Sequence, residues 1–306
     1  MEVMFNLQID CESTQSSVSD PALGKRSIKG VAKILERYEL KGTFIVIPSD
    51  LKMHGGVYRE LRDRGHEVGL HSHPAEQGWC EFLGVYGAEE QETILAEGIE
   101  VFEQVMEQAP RAFTPGYFSA NDITFAVLEK LGFTHGSVSL PTRNLPACAC
   151  IWGSSPDYCH YPHRNNRCLK GDVNFVDVPV TTDPDSRMWG GATPQDLRVE
   201  LVDAKNHWYT IKKSLDRQID QRLNPGPVYI KALTHNIFDY SDPRDFRTET
   251  LERIIQSSIG LSREYDAEMI GATTSEIACR YREITGGPRK VEELKLDTRG
   301  RQEHGA

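Results

Sequence analysis

The chain has 306 residues, enough for one large α/β domain or two small ones. With 39% hydrophobic and 26% charged residues it has the composition of a soluble globular protein, and no apolar run approaches the ~20 residues needed to cross a bilayer. A formal charge of −10 argues against a general phosphate-backbone binder, so nucleic acid is not an expected partner.

In chain order, VMFNLQI (3–9) reads as a strand already belonging to the fold. The opening residues have no basic start, sustained apolar stretch or small-residue cleavage site, so no signal peptide is expected and a cytoplasmic location follows. Ile28, Val31, Ile34, Leu35 and Tyr38 recur at helical spacing. TFIVI (43–47) and EVGL (67–70) are short strand-like runs, and Ile94, Leu95, Ile99, Phe102 and Met106 mark a second amphipathic helix. RAFTP is followed by a helix over DITFAVLEKLGF, which Gly132 closes in the left-handed conformation. A strand near GSVSL, NFVDVPV (174–180), a polar helix around 195–220, VYIKAL (228–233), a helix over 248–265, AEMI (267–270) and a helix near TSEIACRYRE complete the series.

This alternation predicts a parallel sheet with helices outside it, because parallel neighbours need crossover connections. About eight short strands suit one distorted β/α barrel better than separate domains. The expected domain covers residues 1–285, with a long functional loop at about 141–172 and a flexible tail over 286–306, rich in Lys, Arg, Glu and Gly. Seven cysteines are an odd number in a chain too large to need disulfide staples. Cys148, Cys150, Cys159 and Cys168 share one stretch with His160 and His163, but their spacing fits no paired CxxC pattern, and reduced thiols are expected over a structural zinc site.

In a parallel barrel the loops after the strands form the active face. Strand one ends in Asp10-Cys11-Glu12, the third in His71-Ser72-His73, the fourth near Thr114-Pro115-Gly116-Tyr117 and the seventh in Thr234-His235-Asn236. Carboxylates and imidazoles thus reach one face from three strands. Period-two geometry puts Asp10 and Glu12 on one side, so one could bind a metal while the other serves as a base; capping or pairing with a cation is the plainer role. His71 and His73 also share a face and supply the nitrogen ligands that zinc, cobalt or nickel prefers. Glu76 lies close enough to be a reserve ligand or a partner to one of them. His235 is placed to protonate a leaving amine or, more plainly, to hydrogen bond within the barrel mouth. His54, His66, His135 and His207 have no such setting.

"LQIDCE", "GHEVGLHSHP", "FTPGYFSANDITFAVLEKLGF", "DVPVTT" and "ALTHN" stand in the order seen in polysaccharide deacetylases of the NodB-homology type, and the chain resembles that family over roughly residues 3–280. The resemblance implies a distorted β/α barrel, commonly of seven strands, and one divalent metal used to remove acetyl or formyl groups from amino sugars. It implies Asp10 as catalytic base, Glu12, His71 and His73 as metal ligands, the backbone amide near Tyr117 as an oxyanion donor and His235 as general acid. A weaker likeness gives Trp152, Tyr161 and His163 as candidates to line a sugar pocket.

Three departures bear on these expectations. The histidines of the family usually stand four apart, not two. Glu12 replaces the usual aspartate. The third motif lacks its arginine, with Phe113 or Thr114 in that place and Arg111 displaced nearby. The expected activity is therefore metal-dependent hydrolysis of an N-acyl group on an amino sugar or sugar-containing small molecule, with one divalent cation, most readily zinc. A non-sugar amidase and a catalytically silent carbohydrate-binding protein on the same fold are the alternatives. Small amino sugars or glycans are the expected partners, and self-association is left open.

Overall fold

Strand β1 (Glu2–Cys11) is buried along all but its first residue, and its two faces differ in chemistry. Val3, Phe5, Leu7, Ile9 and Cys11 belong to one apolar cluster with the helix residues Ile28, Val31, Leu35 and Leu51. The alternate positions Asn6, Gln8 and Asp10 turn into the curl of the sheet, as the two-residue period requires. Hydrophobic packing thus fixes the strand from outside, while a polar column runs up the interior to the strand's C-terminal end.

The protein, seen here in a computed structural model that describes residues 1–15, 17–188, 191, 193–200, 204–220 and 225–289, is built around an eight-stranded parallel sheet. Its strands are β1, β2 (Gly42–Val46), β3 (Glu67–Ser72), β4 (Ala112–Pro115), β5 (His135–Gly136), β6 (Val176–Asp177), β7 (Tyr229–His235) and β8 (Glu268–Gly271). The order is β6-β5-β4-β3-β2-β1-β7, with β8 paired to the first residues of β1. The helices are α1 (Leu23–Arg37), α2 (Pro48–Asp63), α3 (Ala88–Met106), α4 (Thr124–Lys130), α5 (Ala204–Leu215), α6 (Phe246–Glu264) and α7 (Thr274–Thr285). This is the expected α/β architecture of a distorted barrel. Between β6 and β7 the wall is closed by irregular backbone: Thr181 N donates to Lys231 O at 3.0 Å, Val199 N to Leu233 O at 2.9 Å and Leu233 N to Leu197 O at 3.1 Å.

Three stretches differ from the sequence expectations. Helix α2 has no counterpart among them, because His54, Gly55 and Gly56 interrupt its apolar stripe; Pro48 opens it with a preset helical φ, and His54 sits in its kink. The segment 141–172 is a folded insert rather than a free loop. It holds two small antiparallel hairpins, 144–145 with 150–151 and 162–163 with 166–170, and it buries Cys150, Trp152 and Cys159. Of the polar helix expected around 195–220, residues 193–196 instead pair antiparallel with 182–188, and the helix is described over Ala204–Leu215.

All seven cysteines are free thiols, and no Cys-containing ligand cluster occurs among the described residues. Most of the expected tail, residues 290–306, lies outside the described residues. No helix among the described residues is long and apolar enough to cross a membrane.

Candidate metal centre and cleft

Parallel pairing brings Asp10 beside His235, and the C-terminal ends of β1, β3 and β7 open into one cleft of about 130 Å³. Its walls include Asp10, Glu12, His71, His73 and His235. His71 is inside β3, opposite Thr114 of β4, and His73 follows one residue past the strand end with its backbone still extended. The two rings therefore leave the same face, and their Nε2 atoms lie 3.1 Å apart. Glu12 Oε2 is 3.0 Å from His73 Nε2 and 3.8 Å from His71 Nε2.

These three residues offer donor atoms all within 4.8 Å of one another, and together they form a candidate metal site. The donor set fits a borderline divalent cation: two imidazole nitrogens and one carboxylate oxygen, all enclosed. The other ring nitrogens strengthen the case. His71 Nδ1 donates to Thr114 O at 2.7 Å, and His73 Nδ1 donates to the Glu81 carboxylate. Both acceptors fix the tautomer that leaves Nε2 free to turn toward the cluster. Gly116 makes room for this, since a Cβ there would meet the His73 ring at 2.7 Å.

The electrostatics follow from burial and close pairing. Burial opposes ionisation of Glu12, but the hydrogen bond from His73 and the charges of His235 and His71 outweigh it and hold the carboxyl at about 2. Burial also pushes both histidines down. His71 stays below its ordinary value, whereas the carboxylates of Glu12 and Glu81 bring His73 up to about 10. A divalent cation held by Glu12, His71 and His73 would take the place of that proton on His73.

Asp10 and His235 flank the cluster. Gln8 Nε2 donates to Asp10 Oδ1 at 2.8 Å, while Asp10 Oδ2 lies 4.0 Å from His235 Nε2. His235 Nε2 is also 4.0 Å from Glu12 Oε1, and its Nδ1 donates to Glu200. Burial disfavours the imidazolium, but Glu200, Glu12 and Asp10 outweigh it and raise His235 to about 9. Asn236 ties the two strand ends together: its N–H donates to Asp10 O at 3.1 Å, and its Oδ1 accepts from Glu12 N at 2.7 Å.

Tyr117 stands at the rim with φ 58°, in the left-handed region that non-glycine residues rarely occupy. The residue is 47% exposed, and its ring lies 5.6 Å from the His73 ring and 5.3 Å from that of Phe82. Other expected residues do not join the cleft. Trp152 is fully buried, with Nε1 donating to Phe118 O at 2.9 Å, and it packs against Phe125. His163 lies in the 162–170 hairpin and accepts from Asn165 N. Tyr161 packs against Tyr281. Glu76 faces Ser49, and Glu81 takes the position beside His73. Arg111 donates to Gly132 O on the outside, so it does not replace the missing arginine; the arginines in the cleft wall are Arg143 and Arg198.

Glu81, Glu200, Arg143 and Arg198 were not singled out by the sequence. Glu81 lies eight residues after His73 and Glu200 lies 35 before His235, intervals that match no local period. Only spatial proximity identifies them.

Residues 20–136 match the family model described as polysaccharide deacetylase. The matched stretch contains His71 and His73 but neither Asp10, Glu12 nor His235. No curated protein matches the chain. Among solved structures, a Mycobacterium smegmatis protein named as a polysaccharide deacetylase is similar at 20% identity and a TM-score of 0.60, over 96% of this chain and 94% of its own. A Pseudomonas aeruginosa PAO1 protein of the same name is similar at 14% identity and a TM-score of 0.59, over 92% of this chain and 91% of its own. The PuuE allantoinase is similar at 13% identity and a TM-score of 0.59, over 93% and 91%. At these identities the likeness is one of fold. Together with the family match, it bears out the resemblance to NodB-type polysaccharide deacetylases.

Proposed function

We propose that the protein is a metal-dependent amidohydrolase that removes an acetyl or formyl group from the nitrogen of an amino sugar or a sugar-containing small molecule. The observation that carries this reading is the convergence of a Glu12-His71-His73 donor set with a carboxylate, Asp10, and an imidazole, His235, in one cleft. Structural ion pairs do not require a three-residue ligand set with an acid and a base on its flank.

Zinc suits the donors best, with cobalt or nickel as alternatives. When bound, such a cation supplies Lewis-acid polarisation to the acyl oxygen and to a water. Asp10 Oδ2 accepts the proton of the attacking water, while Gln8 holds Oδ1 and so orients the carboxylate. His235 donates its Nε2 proton to the departing nitrogen, and Glu200 keeps the ring charged and aligned until then. The Tyr117 backbone, held in its unusual conformation at the rim, is the candidate donor to the developing oxyanion.

Elemental analysis of the purified protein, combined with acetate and formate release from a panel of N-acyl amino sugars, tests the proposal. One equivalent of metal and sugar-dependent release are expected, and Asp10→Asn should reduce turnover by ~10²–10⁴-fold. A folded Asp10→Asn protein with full activity would remove Asp10 from the base role. Stoichiometric metal without release from any sugar amide would favour a carbohydrate-binding protein or an amidase of non-sugar substrates.

A further inference from the structure

Two arginines line the cleft, and their surroundings differ. Arg198 has acidic company: its Nη2 lies 3.5 Å from Asp196 Oδ2, and Glu200 and Asp10 add to the negative field around it. Arg143 has none. It is only 7% exposed, its Nη1 donates to Tyr117 O at 3.3 Å, and its Nε has no acceptor. No carboxylate among the described residues pairs with it.

A guanidinium stays charged throughout the accessible pH range, so it cannot relieve burial by losing a proton. Enclosing that charge without a counter-ion is unfavourable, and one long hydrogen bond to a neutral carbonyl offsets little of the cost. Arg143 is held in place from behind, because the 141–155 backbone folds onto itself: Arg143 N donates to Leu140 O at 3.1 Å and Trp152 N to Arg143 O at 2.8 Å. A buried, positioned guanidinium with no directly paired carboxylate and a free Nε in a ligand cleft matches an incoming oxyanion, whose geometry suits the donor fork.

Resting on the hydrolase reading above, we infer that Arg143 is a specificity residue for an acidic substrate: an N-acyl amino sugar bearing a carboxylate or phosphate group close to the scissile amide. A neutral N-acyl sugar leaves this charge unmatched. A role for Arg143 confined to holding the Tyr117 carbonyl would affect all substrates alike.

The test compares N-acetylglucosamine with N-acetylmuramic acid and N-acetylglucosamine 6-phosphate as substrates of the metal-loaded protein and of Arg143→Gln and Arg143→Lys. Binding of the corresponding free amino sugars is measured in parallel by calorimetry. The acidic sugars should be preferred, with the carboxylate and phosphate arms showing which oxyanion is read. Arg143→Gln should lose ~10–100-fold in kcat/KM on them, chiefly through KM, and a distinctly smaller factor on the neutral sugar through the lost contact to Tyr117 O, with partial recovery on the acidic sugars in Arg143→Lys. Equal handling of neutral and acidic sugars by the unaltered protein overturns the inference and leaves the hydrolase reading standing. A proportional loss on every substrate does the same and assigns Arg143 to the scaffold. Arg143-dependent binding of an acidic amino sugar without release from any N-acyl form supports the anion site and defeats the hydrolase reading.

Discussion

His71 and His73, separated by one residue, bring their Nε2 atoms to 3.1 Å from each other, with Glu12 Oε2 3.0 Å from His73 Nε2 and 3.8 Å from His71 Nε2. Strand parity accounts for the shared face, and different partners behind the rings account for their aim. Thr114 O holds His71 from β4, whereas Glu81 holds His73 from the loop before α3. The compressed spacing, the main departure from the deacetylase pattern, therefore still yields a three-donor cluster with Glu12.

Glu81 orients His73 without lining the cleft. Glu81→Gln keeps the size and one acceptor oxygen but removes the charge facing His73 Nδ1. The expected result is a ~10–100-fold weaker metal affinity with an unchanged fold, measured by competition against a chromogenic zinc chelator. Unaltered affinity would show that Thr114 and the strand backbone alone suffice to position the pair.

Gly116 makes a steric prediction at the same point. A methyl group there would lie 2.7 Å from the His73 ring, below any ordinary contact distance. The ring is pinned by Glu81 on one side and the cluster on the other, so it cannot yield without moving Nε2. Gly116→Ala should fold, as judged by circular dichroism and melting, yet retain much less than one equivalent of metal. Full occupancy in that variant would mean that the backbone of 115–118 moves instead.

The legible and illegible parts of the site differ in range. Asp10, Glu12, His71, His73 and His235 end apolar strands, where a two-residue period gives the facing and a parallel sheet gives the common end. Their partners Glu81 and Glu200 come from loops, where no period applies and only the closed fold determines who meets whom. The same holds for the third-motif arginine. Sequence proximity pointed to Arg111, which faces outward, while Arg143 reaches the cleft from an insert whose fold depends on burying Trp152 and Cys150. Aromatic Trp152 read as a sugar-binding residue for the same reason: a folded insert without periodicity is indistinguishable from a loop. Helix α2 was hidden by its own glycines and kink, although Asp50 within it accepts from Tyr58 and Asn236 and so braces the end of β7.

Lys231 lies at the base of the interior column, opposite Asn6, and is fully enclosed. Its Nζ donates to Thr274 Oγ1 at 2.8 Å, and no carboxylate among the described residues forms a close ion pair with it, although the charges of Glu67, Asp177, Cys159 and Asp10 act on it. Burial lowers the ammonium from 10.5 to about 8, against the pull of those acids. The unfolded chain therefore holds this proton more tightly than the folded protein does. Between about pH 8 and 10.5 the unfolded state binds more protons at this site, so the contribution of Lys231 to stability rises with pH; below pH 8 its penalty is constant. Tyrosines and thiols titrate in the same window, so the informative quantity is the difference from Lys231→Met, which carries no proton there. Urea denaturation at pH 7.5 and pH 10 should show the unaltered protein gaining stability relative to Lys231→Met at the higher pH. A difference that stays flat or shrinks would mean that Glu67 and Asp177 neutralise the ammonium well enough to keep it at its ordinary value, and that the polar column is held by a true buried ion pair.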